Sequence, residues 1–522
     1  MGKVLGEDVS TNTPATTPAT SDPVLGLMLE KGMITEDEAA KVQAQVDALR
    51  TNPIAQMPPS KWNISSGIKS LELFGDLRLR YEYRSATDPR GGSINLDRLR
   101  YAVRLGLRGD LFDDYYYGLR VDTSANPRSP FVTFGGPGIT SPGSTPYSGP
   151  FGKSSAGINI GQLYFGWRPE SWFEVTLGKM PNPLYTSTMV WSSAINPEGA
   201  AEHLKYTVGQ ADFFANFGQF LYADTSPNNA SPGYFNLVST DDGTGSMPFL
   251  LALQGGVTEH FTKQVSFKVA PALYLYTRFS NGNSPNNNTA GLTPDFAGTY
   301  VGQGSTVGVN NIPASYNLAG STPGFDGFYA NQTGINNLMV LEIPFELNLQ
   351  MKHYDFRFFG DFAENLDGRA RAVAAYNASH STYFSATGPA VSLDQISSPQ
   401  IHDNKAFEVG VAFGSSGSLG LVNGTTAKKN AWEVRTYWQH VEQYSLDPNL
   451  IDLDFFSGVE NMQGIYVAAA YGLTDNLIGT VRYGNATRIN DKLGTGGSGT
   501  DIPQMNPINQ YSLFQVDLTL KF

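Results

Sequence analysis

The chain contains no cysteine. That excludes disulfides, iron–sulfur clusters and thiolate zinc sites. Charge is sparse as well, with Asp, Glu, Lys and Arg making up 16% of 522 residues. The balance is acidic, at a net −12, so nucleic acid is not an expected partner. Nowhere do eighteen apolar residues follow one another, which excludes a transmembrane helix. The histidines (His203, His260, His353, His380, His402 and His440) are scattered, and none pairs at HExxH spacing. No metal ligand set and no cofactor are therefore expected. There is no GxSxG elbow, and no Ser, His and acid set can be assembled, so no catalytic residue is assigned and the chain is not read as an enzyme. The run Gly494-Thr495-Gly496-Gly497-Ser498-Gly499 satisfies GxGxxG, but Asp501-Ile502-Pro503 follows where a helix is needed. It reads as a flexible loop rather than a nucleotide site.

What the chain has in quantity is glycine (56), tyrosine (26) and phenylalanine (31), the makings of strands joined by many turns. Its length alone would suggest three or four domains. The last twelve residues, YSLFQVDLTLKF, argue for one large sheet instead. Phe514, Val516, Leu518, Leu520 and Phe522 alternate with Gln515, Asp517, Thr519 and Lys521. Successive side chains on a strand point to opposite faces, so one face is apolar and the other polar. A strand that ends a chain frays unless both its edges are paired, and closure onto the first strand of a barrel would pair them. A membrane would account for the unbroken apolar face. The other reading is an edge strand of a soluble sandwich, although soluble edges are usually broken by charge or bulges.

The alternation recurs from Ile68 onward. Sixteen strands are expected, at 71–84, 97–111, 114–123, 157–168, 172–180, 200–208, 210–223, 249–259, 262–280, 335–350, 353–364, 403–414, 430–442, 462–472, 476–488 and 511–522. Long gaps, the first at 85–96, alternate with tight turns such as 169–171 and 473–475. The connection 415–429 alone is too long for its place. This sorting is the pattern of a transmembrane antiparallel β-barrel, and an even count puts both chain ends on the short-turn side. Tyr115, Tyr116, Trp167 and Trp172 beside tight turns suit an interfacial aromatic girdle. The fold class is accordingly an all-β transmembrane antiparallel barrel of about 16 strands with a short N-terminal periplasmic helical segment.

Ahead of the barrel, residues 1–22 form a Thr/Pro/Ala tract expected to be disordered. Residues 23–50 carry the helical signal. Thr35 and Glu38 make a capping box, and Ala39, Val42, Val46 and Leu49 form a narrow stripe. A tethered periplasmic helix pair and a coiled coil joining three barrels are both open. Residues 51–67, with Pro53, Pro58 and Pro59, are the linker, and 68–522 the barrel. Residues 1–8 hold no apolar run of signal-peptide length, which is taken to reflect a processed or recombinant form.

The run Val175-Thr176-Leu177-Gly178-Lys179-Met180-Pro181-Asn182-Pro183-Leu184-Tyr185, with Trp191 and Asn196-Pro197-Glu198-Gly199 after it, resembles the bacterial outer-membrane "putative porin" family. Similar matches are Leu73-Phe74-Gly75-Asp76-Leu77-Arg78-Leu79-Arg80-Tyr81, Phe359-Gly360-Asp361-Phe362, Gly472-Leu473-Thr474-Asp475-Asn476 and Glu30-Lys31-Gly32-Met33-Ile34-Thr35. The resemblance runs from about Leu25 to the end and implies an outer-membrane channel for small solutes, with homotrimers usual. The terminal strand resembles those of outer-membrane barrels, where a final aromatic such as Phe522 is a signal to the barrel-assembly machinery. Lipid and lipopolysaccharide are the implied surroundings. Loops 281–334 and 365–402 match no family pattern, so the solute does not carry over.

The lumen is the informative wall. If Leu73, Leu77, Leu79 and Tyr81 face lipid, then Glu72, Asp76, Arg78, Arg80 and Glu82 face inward. On the next strand Arg98, Arg100, Arg104 and Arg108 do the same, and Arg120 and Asp122 follow on the third. These arginines are either a positive strip attracting anions or a salt-bridge lattice with Glu72, Asp76 and Glu82. Because wall charge outweighs screened loop charge, a mild anion preference is expected in spite of the acidic total. Glu433, Arg435, Arg482, Asp517 and Lys521 are assigned to the opposite wall. The 181–199 loop, stiffened by Pro181, Pro183 and Pro197, is expected to fold inward as a constriction, with Asn182, Tyr185, Trp191 and Glu198 on it and the last three facing the arginine strip. An ordinary external loop is the alternative. Asp447, Asp452, Asp454 and Glu460 read as a solvated acidic loop or, less simply, a Ca²⁺ or lipopolysaccharide-bridging site. Passive diffusion of small hydrophilic solutes is the first functional reading. A substrate-specific anion or saccharide channel is the second, with a barrel enzyme or adhesin behind them.

Overall fold

The computed structural model describes residues 28, 31–35, 37–42, 67–89, 91–112, 114–134, 157–222, 249–276, 338–369, 371–372, 403–424, 428–491, 493, 495 and 508–522. The 1–22 tract, the linker as far as 66, all of loop 281–334, most of loop 365–402, and Gly494 and residues 496–499 of the glycine-rich run lie outside them. The chain divides into two units, Met1–Ser66 and Gly67–Phe522. In the first, residues 37–42 are helical and the capping box is formed. The Thr35 N–H and hydroxyl both donate to Glu38 Oε2 at 2.9 Å, and the Glu38 N–H donates back to Thr35 Oγ1 at 3.4 Å.

The second unit is a closed antiparallel barrel. Its strands are β1 (Glu72–Thr87), β2 (Ser93–Leu111), β3 (Tyr115–Asp122), β4 (Val132–Thr133), β5 (Asn159–Glu170), β6 (Phe173–Lys179), β7 (Glu198–Val208), β8 (Ala211–Leu221) and β9 (Phe249–His260). The rest are β10 (Val265–Val269), β11 (Ala272–Tyr276), β12 (Met339–Gln350), β13 (Tyr354–Asn365), β14 (Lys405–Ser415), β15 (Trp432–Val441), β16 (Met462–Gly472), β17 (Leu477–Arg488) and β18 (Gln510–Lys521). Sixteen of them cross the wall once two features are accounted for. β10 and β11 both pair with β9 and β12, and are one strand interrupted at Ala270-Pro271, where proline has no N–H to give the ladder. β4 is a two-residue return onto β2, opposite Arg100 and Tyr101. The sixteen expected strands are thus present, with altered ends. The first hairpin differs most: β1 and β2 run to Thr87 and from Ser93, so the supposed long gap is a short turn closed by Asp88 and Gly92.

Closure is made by β18, which pairs with β17 on one side and β1 on the other. The final residue completes it: Gly75 N–H donates to Phe522 O at 2.9 Å and Phe522 N–H to Gly75 O at 3.1 Å. Alternation sorts the side chains as expected. Leu73, Leu79, Leu99, Leu163, Val481 and Leu518 are exposed on the outer face, while Glu82, Arg84, Glu342 and Gln515 are buried inside. An outer band this apolar suits hydrocarbon, not water. Near the short turns Tyr115 stacks on Phe165, and Trp167 and Trp172 pack edge-on and tilted against Phe173. Tyr116 does not join them. It points inward, donating its hydroxyl to Glu174 at 2.6 Å.

Candidate functional site: the lumen and its infolded connections

Register builds the charged wall. Across β1 and β2 the partners are Glu72↔Arg108, Asp76↔Arg104 and Glu82↔Arg98, and across β1 and β18 Arg80 faces Asp517. Each carboxylate therefore meets a guanidinium on the neighbouring strand. Arg108 grips Glu72 with two bonds of 2.7 Å, and Arg104 reaches Asp76 at 2.6 and 2.9 Å. Arg78 takes the other Asp76 oxygen at 2.7 Å, and Arg120 takes Asp122 at 2.7 and 2.8 Å. Arg80 holds Asp517 with Nε and Nη2 at 2.7 and 2.8 Å, and Arg482 joins the same carboxylate. Such two-pronged pairs are the strong form of the charged hydrogen bond. Glu82, fully buried, is the hub: Arg98 lies 2.7 Å away, Arg84 3.0 Å, Arg100 3.6 Å and Gln515 2.8 Å. Hence the arginines do form a strip, and among the described residues Arg78, Arg80, Arg98, Arg100, Arg104, Arg108 and Arg120 each lie within 4 Å of a carboxylate.

Among the described residues, three of the connections at the long-loop end are seen to fold into the barrel. The first leaves β3 and returns through β4. Its Phe131 ring lies 4.0 Å beneath the Arg80 guanidinium, and Phe131 O accepts from Arg100 at 3.0 Å. The second is 180–197, buried at Met180, Leu184, Met189, Val190 and Trp191. Asn182 closes a local turn, accepting the Leu184 N–H at 3.0 Å. Tyr185 exchanges backbone bonds of 2.9 and 2.7 Å with the Gln254 side chain, and its ring sits 3.6 Å from Lys268 Nζ. Trp191 packs between Phe220 and Tyr274. Tyr185 and Trp191 thus face the β8–β12 wall, not the arginine strip. The reason is local: Thr186 donates to Glu342 at 2.6 Å, tying this side of the loop to β12. Glu198 does not enter the lumen with them. It opens β7 and pairs with Lys179.

The third connection, 442–461, carries the acids expected to form a solvated loop. Its acids turn inward and are paired rather than standing free in solvent. Asp447 accepts from Tyr222 at 2.9 Å, Glu460 is buried and accepts the Leu446 N–H, and Asp452 accepts from Ser192 at 3.2 Å. Asp454 reaches the strip, where Arg80 Nη1 lies 2.7 Å and Gln515 Nε2 3.0 Å from its Oδ1. Phe455 anchors the loop between Tyr437 and Tyr466. The loops also hold each other. Ser192 N–H donates to Leu450 O at 2.6 Å, Asp452 N–H to Thr188 O at 3.2 Å, and Arg128 to Pro448 O at 2.6 Å. Burial would raise the Asp454 carboxyl, but Arg80, Arg84 and Arg482 outweigh it and hold it below the usual carboxylate range. Asp452 goes the other way: burial and the neighbouring Asp454 charge push it up to about 6.

The overlong 415–429 connection folds in from the opposite end. Leu421 and Val422 are buried, and Glu433 accepts the N–H groups of Gly420 and Val422 at 2.8 and 2.9 Å. Arg482 donates to Val422 O at 3.0 Å and Lys521 to Gly424 O. The wall assignment of these residues also changes. Asp517 and Lys521 stand beside β1 rather than across from it, because closure makes β18 its neighbour. Across the lumen stand carboxylates instead: Glu342, Asp361 and Glu408, with Asp361 directly opposite Glu408 on the ladder.

The family described as "Putative porin" matches residues 90–522, which leaves the 73–81 and 30–35 matches outside the matched span. No curated protein matches the chain. Among solved structures, an anion-selective porin from Comamonas acidovorans is similar at 10% identity and TM-score 0.39, over 87% of this chain and 99% of that one. Salmonella typhi OmpF in complex with daunomycin gives 9% and 0.39, over 87% and 98%. An engineered porin of Rh. blastica gives 8% and 0.36, over 87% and 100%. These likenesses are distant and carry no argument. The family match spans most of the chain, and with it the chain belongs to the porin family so described, as an outer-membrane barrel channel.

Proposed function

We propose that the barrel is a water-filled channel for passive diffusion of small hydrophilic solutes, with a mild preference for anions. The observation that carries it is the sorting of the wall. An apolar exterior, interrupted at the paired Glu202 and Gln219, encloses charged side chains that, among the described residues, are held to one another. Sixteen crossing strands enclose more space than their own side chains fill. The space is narrowed by the infolded connections, with 180–197 as a constriction bearing Asn182, Tyr185 and Trp191. The infolding of these connections favours, within the channel reading, a selective route for anions or saccharides over a wide unselective pore. Anion preference is supported by the strip. At the seam, Arg80, Arg84, Arg98, Arg100 and Arg482 stand against Glu82, Asp517 and Asp454 among the described residues.

The N-terminal unit is placed on the periplasmic side, the oligomer as a homotrimer, and Phe522 as the recognition residue for assembly. No catalytic or cofactor role is assigned. Planar-bilayer recording tests the proposal: discrete conductance steps with a chloride-leaning reversal potential in a KCl gradient are expected. A folded barrel that inserts without conducting would overturn the channel, and a potassium-leaning potential would overturn the preference alone.

A further inference from the structure

We propose that Arg80, Arg84 and Gln515 form a subsite for the carboxylate or phosphate group of an anionic solute, and that Asp454 is a tethered carboxylate filling it from the chain itself. The proposal rests on the channel reading. Its basis is a difference in provenance and exposure. Arg80, Arg84, Glu82 and Asp517 come from the wall strands β1 and β18, and their side chains are at most 3% exposed. Asp454 comes from the 442–461 connection, and its side chain is 33% exposed. It is the layer of this cluster that meets water.

The donors converge on one point. Arg80 spends Nε and Nη2 on Asp517, which leaves Nη1 aimed at Asp454 Oδ1, 2.7 Å away. Gln515 Nε2 lies 3.0 Å from that oxygen and Arg84 Nη2 3.6 Å. A guanidinium and an amide donating to a single anionic oxygen, with a second guanidinium at ion-pair distance, suit a carboxylate or phosphoryl oxygen. The donors are fixed by the ladder between β1 and β18, in which Arg80 faces Asp517 and Glu82 faces Gln515. They persist whatever occupies the site. The acceptor rides on a connection held by side-chain and main-chain bonds to two other loops. Asp454 joins Glu82 and Asp517 as a third carboxylate among the seam guanidiniums, and of the three it is the one carried by a connection. A solute bearing the same group would compete for the same donors.

The test uses the full chain in planar bilayers in KCl, with inorganic phosphate and acetate as probes. In D454N, phosphate should reduce the chloride current at a concentration about tenfold lower than in wild type. The reversal potential should also move toward chloride. D454N with R80Q should return to wild-type sensitivity. Equal action of acetate identifies a site for either oxyanion; action of phosphate alone narrows it to phosphate. A D454N barrel that conducts and shows the heat-modifiable mobility of a folded barrel, yet has wild-type phosphate sensitivity, overturns the subsite. D454S is read in the same way should D454N fail to fold. If wild type does not conduct, the channel reading fails by itself. The subsite is then judged by titrating phosphate into detergent-solubilised D454N, where absence of binding overturns it.

Discussion

At the scale of the residue, the lumen is governed by which charges are balanced and from where. Asp452 is the group placed to respond to pH. Its carboxyl, raised to about 6, is neutral below that value and charged above it. Acidification through pH 6 should therefore remove one negative charge beside Asp454 and move the reversal potential toward chloride. Because the fold favours the protonated form, stability should fall as pH rises from the ordinary carboxylate range through 6. Asp452→Asn should abolish the titration, and a wild-type potential flat between pH 5 and 7 would refute it. A second residue matters for closure. A Cβ on Gly75 would lie 2.4 Å from Arg104 O and 2.8 Å from the Phe522 ring. Backbone cannot yield as a side chain can, so Gly75→Ala should destabilise the barrel by about 1–3 kcal/mol. The unfolding midpoint in urea with detergent measures this, and an unchanged midpoint would place the ring elsewhere.

Elements show the division of labour between wall and connections. The wall is repetitive and its alternation is readable. The salt-bridge partners were also within reach: the turn at 88–92 pairs residues of β1 and β2 symmetrically about position 90, matching Glu72 with Arg108 and Glu82 with Arg98. Misplacing the end of β1 hid that pairing. The infolded connections behave differently, since each is specified by contacts to strands far away in sequence. Deleting 184–194 removes Trp191 from its seat between Phe220 and Tyr274 and should raise single-channel conductance. Equal conductance would mean the solute path lies elsewhere. At the other mouth, shortening 418–423 to a two-residue Gly-Ser link would withdraw the main-chain N–H donors from Glu433 and the main-chain carbonyl from Arg482. Conductance should rise there too, and additively with the first deletion if the two loops narrow the path in series. The length of 415–429, anomalous in the sequence, has its physical reason in this infolding.

For the whole molecule, closure is the organising event. It brings the last strand beside the first, and so places Asp517 on Arg80, where Arg482 of the preceding strand already meets it. The barrel carries its own hydrogen-bonded ladder without a free edge. Among the described residues, every strand of that ladder lies between Glu72 and Lys521. Removal of residues 1–60 should then leave the barrel's heat-modifiable mobility and conductance unchanged. Loss of the oligomer in detergent on the same truncation would assign the segment to assembly, and an intact oligomer would assign it another role.

Local chemistry determined what period and punctuation can express. The two-residue alternation set which face of each strand meets lipid, and turn spacing set the strand number and the even count. The Thr35 and Glu38 spacing set the cap of the helix. Those properties depend on neighbours in the chain, so they are written in its order. Tertiary structure decided everything that depends on meeting at a distance. It turned the acidic loop inward onto Arg80, seated Tyr185 and Trp191 on the wall away from the arginines, and made β18 a neighbour of β1. The physical reason is that a lumen is a shared space. Which charge compensates which there depends on register, closure and the path of long connections, and none of these leaves a periodic trace in sequence.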